Sequence, residues 1–180
     1  MPITIAFVDE QELRPLSDNE RQRIERTLRK VLTDHQIEDA DLSIAVLDDD
    51  TIQDYNHQYL EHDWPTDVLS FLLSEDDVEP LEGQLLLSRE TADAVAAELP
   101  WEEDDELLLY AIHGTLHLIG YDDDDEVSLE LMRAAERRYL TAAGVIGAAG
   151  HPHFAEREKF SEAAGEGIDG SFDEADEAPQ

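Results

Sequence analysis

The chain has 180 residues, 46 acidic and 12 basic side chains, a net charge of −34 and no cysteine. That charge repels nucleic acid at long range and excludes a protein that grips it by a broad basic surface; the missing cysteines exclude disulfides and thiolate metal sites. No stretch of about 18 apolar residues exists, so no membrane-spanning helix is expected, and MPITIAFVDEQ has no secretory pattern, so the expectation is a cytoplasmic protein.

In chain order, residues 3–9 (ITIAFVD) alternate as a strand does. Asp18 offers an N-cap to a helix with Ile24, Leu28, Val31 and Leu32 on one side and Arg21, Arg26, Arg29 and Lys30 over much of the rest. Such a basic array either touches RNA or a protein partner, or is a solvated face paired with nearby acids. Residues 41–48 (DLSIAVLD) read as a second strand, Thr51 to Leu60 as a short helix, and 66–73 (TDVLSFLL) as a third strand after the Trp64-Pro65 break. An acidic loop over 74–83 leads to a fourth strand, 84–88, then to an alanine-rich helix from Arg89 to Leu99 closed by Pro100. Glu102 to Ile119 reads as a helix anchored by Leu108, Ile112, Leu116 and Ile119, and 125–142 as a last helix with Leu129, Met132, Ala135 and Tyr139 on one side. Periodicity is lost from about residue 149, where the acidic, aliphatic-poor sequence predicts disorder. The expected organisation is a domain over 1–148 and an acidic tail over 149–180. The expected fold class is α+β (mixed α/β), a single small mixed sheet packed against helices.

The chemistry concentrates in HGTLHLIGYDD, residues 113–123. His113 and His117 are four residues apart and share one helix face. Gly120 can end the helix in the left-handed conformation, letting the chain turn back with a third donor. Spacing selects Asp123 from the run Asp122 to Asp125, giving a three-ligand catalytic metal site with an open fourth position on a zincin-like helix. Zinc tolerates two imidazoles and a carboxylate, and manganese or iron are alternatives. A carboxylate in the third place lowers the pKa of a metal-bound water less than a third imidazole would. Peptidases of the His-Glu-x-x-His kind carry a glutamate base directly after the first histidine; here that residue is Gly114.

HGTLHLIGYDD resembles the HGxLHLxGYDH signature of the YbeY family, metal-dependent single-strand endoribonucleases of rRNA maturation. Asn56, Tyr59, Asp63, Pro65 and TDVLSF (66–71) resemble the family's central block, and LEGQLLLSRETADAVAAEL (81–99) its following strand and helix. The resemblance runs from about residue 3 to 142. It implies one zinc ion per chain on His113, His117 and Asp123, single-stranded RNA or rRNA as substrate, the small ribosomal subunit or a ribosomal protein as partner, and no DNA. The family usually has histidine at position 123, arginine at 60 and aspartate at 84; this chain has Asp123, Leu60 and Gln84. The net charge does not exclude a nuclease, because a bound cation can set the local field of a cleft. Asp67 and Ser70 are weak cleft candidates, with the catalytic groups of the protein otherwise unassigned beyond a water on the metal. Trp64 and Trp101 are stacking or packing residues. Two rival readings fit the same residues: a metal-dependent peptidase-like hydrolase, and a non-catalytic ribosome-assembly factor.

Overall fold

A computed structural model describes residues 2–8, 14–62, 66–75 and 80–154. Among them the order is β1 (Thr4–Val8), α1 (Asp18–Asp34), β2 (Ala40–Leu47), α2 (Asp49–Leu60), β3 (Val68–Leu72), β4 (Leu81–Ser88), α3 (Arg89–Ala97), α4 (Glu103–Leu118) and α5 (Glu126–Ala142), then short 3₁₀ turns at Ala148–Gly150 and Pro152–Phe154. The strands form one sheet in the order β1-β2-β4-β3. β1, β2 and β4 run parallel, and β3 pairs antiparallel to β4 with Val68 opposite Leu87 and Leu72 opposite Gly83. This is the mixed sheet with helices that the sequence predicts.

α1 begins differently from expectation. Its N-cap is Ser17, not Asp18: Ser17 Oγ accepts the Glu20 backbone N–H at 3.2 Å, and Glu20 Oε2 accepts that of Ser17 at 2.7 Å. This reciprocal pair satisfies two otherwise orphaned helix N–H groups. Four of the basic residues of α1 are engaged within the chain. Arg29 bonds Glu25 and the Ile3 carbonyl, Lys30 bonds Asp34, Arg23 reaches Asp105 at 2.7 Å, and Arg21 lies over the Phe7 ring. The fourth strand starts at Leu81, inside the expected loop, because residues 81–83 extend the ladder opposite Ala40 to Leu42.

α4 is the central element. Leu107 to Ile112, Thr115 and Leu116 are all buried, so one helix packs against the sheet on one side and α1 and α5 on others. It lies close to β3 and β4 at Gly114, where a Cβ would meet Leu85 Cδ2 at 2.8 Å and Val68 Cγ2 at 3.0 Å.

The folded part extends past the expected boundary at 148. Residues 148–154 turn back on the helices, with Ala148, His151 and Phe154 buried. Two imidazoles and a phenyl ring outweigh the polar composition that suggested disorder from 149. Residues 155–180, and with them most of the expected acidic tail, lie outside the described residues, as do Asp63, Trp64 and Pro65. Among the described residues no helix is long and apolar enough to cross a membrane.

Candidate metal centre

The end of α4 is built to turn. Ile119 caps it, and Gly120 follows at φ +97°, in the left-handed region that a glycine enters without a Cβ clash. Gly120 N–H donates to the His117 carbonyl at 3.1 Å and Tyr121 N–H to the Leu116 carbonyl at 3.0 Å, a paired closure that satisfies the last carbonyls of the helix. The loop is tied to α1 by the Tyr121 hydroxyl, 3.1 Å from His35 Nε2. The acidic run divides its work. Asp125 caps α5 by accepting from Val127 and Ser128, Asp122 accepts the Asp123 backbone N–H, and Asp123 faces the imidazoles.

His113, His117 and Asp123 are brought together as the spacing predicts. Each offers an atom within 4.8 Å of the others. Asp123 carboxylate oxygens stand 3.8 Å from His113 Nε2 and 3.7 Å from His117 Nε2, and the two Nε2 atoms are 3.0 Å apart.

The partners on the far side of each ring decide what those nitrogens can do. His113 Nδ1 lies 2.7 Å from Glu136 Oε1, and His117 Nδ1 lies 3.0 Å from the Tyr121 carbonyl oxygen. Each acceptor takes an N–H, which puts the proton of a neutral imidazole on Nδ1 and leaves a lone pair on Nε2. Two such lone pairs 3.0 Å apart repel unless a positive charge lies between them. Two nitrogens each about 2.0–2.1 Å from one ion at the tetrahedral angle stand about 3.3 Å apart. The donor set therefore fits a divalent cation with little movement.

The electrostatics agree. Burial acts to lower the His113 pKa, but the hydrogen bond and charge of Glu136, with Asp67 and Asp123, outweigh it and raise the value above the ordinary histidine range. Burial likewise acts to raise Glu136, and the N–H donors of His113 and His153 outweigh it, so the carboxyl stays ionised below its usual range. The surroundings stabilise positive charge at His113.

The site opens into a cleft of about 580 Å³ lined by residues including Leu60, Thr66, Asp67, Ser70, His113, His117, Asp123 and His153. A neighbouring lobe of about 400 Å³ shares Thr66, Asp67, His113 and His153 and continues to Tyr110 and Glu106. Asp67 and Ser70, the weak candidates of the sequence, stand on the cleft wall. Asp67 Oδ1 accepts the Val68 backbone N–H and the Thr66 hydroxyl, so it shapes the entry to β3. No Lys or Arg lines either lobe among the described residues. Trp101 is buried against the His151 ring, with centroids 4.3 Å apart, which makes it a packing residue. Gly114, the position of the peptidase base, faces Leu85 and Val68; a glutamate there has no room to reach the cleft.

Sequence reasoning missed Glu136 and His153. Glu136 has 0% of its surface exposed and bonds both His113 and, at 2.8 Å, His153 Nε2. A signal was present: Glu136 occupies the same side of α5 as Met132, Ala135 and Tyr139, all buried. A carboxylate inside an apolar stripe is rarely buried without a partner.

Residues 5–144 match the family model described as Endoribonuclease YbeY. An "Endoribonuclease YbeY" of Rhodopirellula baltica is 41% identical over 108 residues, 58% of this chain, and the match spans 54%, about half, of that relative's length. One of Geobacillus thermodenitrificans is 33% identical over 156 residues, covering 81% of this chain and 99% of that protein. A solution structure of a Thermotoga maritima protein superimposes with a TM-score of 0.56 at 26% identity, covering 87% of this chain and 99% of the other.

Proposed function

Because this chain belongs to the YbeY endoribonuclease family, we propose that it is a metal-dependent endoribonuclease that cuts single-stranded RNA, with rRNA in maturing small ribosomal subunits as substrate. The observation that carries the metal half of this reading is the pair of Nε2 atoms 3.0 Å apart, each with its Nδ1 already committed. His113, His117 and Asp123 would hold one divalent cation, and zinc suits two imidazoles and a carboxylate. That cation supplies Lewis-acid chemistry at the phosphodiester. The residues of the chain do the rest. The His113 and His117 rings are locked by Glu136 and Tyr121, which costs no reorganisation when substrate arrives. Thr66, Asp67 and Ser70 form the wall along which the strand lies, and Leu60 with Leu72 gives it an apolar side. With Asp67, Asp123 and Glu106 in the walls and no Lys or Arg lining them among the described residues, the cleft offers RNA no fixed cationic side chain.

The test is cleavage of a single-stranded RNA and its duplex by the purified chain, with and without chelator, beside His117→Ala, with metal content measured for wild type and Asp123→Ala. The expected result is single-strand cleavage that chelator and His117→Ala abolish, with reduced metal in Asp123→Ala. Equal cleavage by His117→Ala rejects the reading.

A further inference from the structure

We propose that His153 is a positioning residue of the metal centre: through the Glu136 carboxylate it holds His113 in the tautomer and orientation that presents Nε2 to the cation. This rests on the metal reading above and extends it to a residue beyond the three donors, supplied by the segment that follows the last helix.

The wholly buried Glu136 carboxylate accepts one N–H on each oxygen, from His113 Nδ1 at 2.7 Å on Oε1 and from His153 Nε2 at 2.8 Å on Oε2. A neutral imidazole has two tautomers, and the one with its proton on Nε2 cannot bind a cation there. The bond to Glu136 selects the other. A carboxylate turns easily about its last torsion, which is broad. A single donor therefore leaves its plane loosely set, whereas donors on opposite oxygens fix it. His153 is the second donor.

His153 is itself held. Its backbone N–H donates to His151 Nδ1 at 3.0 Å, so the His151 proton sits on Nε2, which donates at 2.9 Å to the buried Glu106 of α4. The His151 ring lies against Trp101, and the His153 ring meets Phe154 edge-on with centroids 4.8 Å apart. The sequence His-Pro-His-Phe thus carries two imidazoles, each on a buried carboxylate, one from α4 and one from α5. The first anchors the turn and the second reaches the metal ligand through Glu136.

A purely structural His153 would do no more than offset the buried Glu136 charge. Its loss would lower stability and leave metal affinity unchanged. Loss of a group that orients a metal ligand costs about 10–100-fold in metal affinity. The experiment titrates zinc into the full chain against a fluorescent chelator, for wild type, His153→Phe, His153→Gln and His113→Ala, and follows thermal unfolding of the metal-free forms. Phenylalanine keeps the packing on Phe154 and removes the donor; glutamine restores an N–H near the Nε2 position. If His153→Phe does not fold, His153→Asn, too short to donate to Glu136, replaces it. The expected result is zinc binding weakened about 10–100-fold in His153→Phe, recovery in His153→Gln, and metal-free unfolding temperatures that do not track affinity. Wild-type zinc affinity in His153→Phe overturns the proposal, as does a glutamine variant as weak as the phenylalanine one. Wild-type binding no tighter than that of His113→Ala overturns the metal reading itself, and the positioning role with it.

Discussion

Replacing Gly114 by alanine tests whether α4 must lie as close to the sheet as it does. The added Cβ would stand 2.8 Å from Leu85 Cδ2 and 3.0 Å from Val68 Cγ2. Carbon pairs settle at about 3.5–4.0 Å, so relief of about 0.5–1 Å is required. Leu85 is fully buried, and Val68, branched at Cβ, is stiff at χ1. The helix moves instead of its neighbours. Overpacking costs about 1–3 kcal/mol, and the gain in helix propensity from glycine to alanine offsets about 1 kcal/mol. The net loss is therefore about 0–2 kcal/mol, with each kcal/mol worth about 2–4 °C in Tm for a chain this long. Function suffers more. His113 precedes Gly114 on the same turn, and a displacement of about 1 Å at a reacting centre can cost about 100-fold. The expected signature is a Tm lowered by a few degrees in circular dichroism with RNA cleavage reduced at least tenfold, about 1.4 kcal/mol in barrier. A variant that gains the full propensity term and cleaves like wild type would show that α4 has slack against β3 and β4, and the packing argument would fall.

Two further outcomes follow from the buried ionic cluster between α1, α3 and α4. Burial pushes Asp104 up to about 6, reinforced by Glu20, while for Glu20 burial is outweighed by hydrogen bonds from Asp104 and Ser17 and by the Arg89 charge, which hold it at about 2. Glu20 therefore contributes stability that is lost as pH falls from 4.5 toward 2. Asp104 carries a proton in the folded state that the unfolded chain has released, so its contribution declines as pH rises from 3.8 to about 6. Unfolding by urea between pH 2 and 8 should give a stability maximum near pH 4–5 that flattens in Asp104→Asn; an unchanged profile in that variant would remove the pair as its source. Arg89 is 2% exposed and bonds Glu20 Oε1 at 3.2 and 3.3 Å. Arg89→Met leaves that carboxylate without its buried counter-ion and should cost about 3–5 kcal/mol in the same assay, whereas a loss under about 1 kcal/mol would mean that Arg14 or water takes over.

What the sequence made legible is what is local. The helix that carries His113 and His117 shows in its apolar spacing, and its end shows in Gly120, since both depend on residues within one or two turns. That Asp123 comes close to the two imidazoles was legible because the turn after Gly120 has few ways to return. Ser17 was passed over for Asp18 although Ser-x-x-Glu is also local: the neighbouring aspartate competed for the same role, and only the Glu20 side chain returning to Ser17 decides between them. His153 was hidden for a different reason. Its partner Glu136 lies 17 residues earlier and bonds His113, a further 23 residues toward the N-terminus, so no short window of sequence contains the chain of bonds. The composition after it pointed toward disorder, since a polar, acidic, aliphatic-poor segment buries little apolar area. Yet the stripe on α5 held a clue, because Glu136 interrupts Met132, Ala135 and Tyr139. An ionised group at such a position costs several kcal/mol unless it is paired, so its presence demands donors from elsewhere in the fold. In this chain His153 beyond α5 was one group able to meet that demand, and His113 on α4 was the other. A buried acid on an otherwise apolar helix face thus marks where separate segments of this fold converge on the cleft.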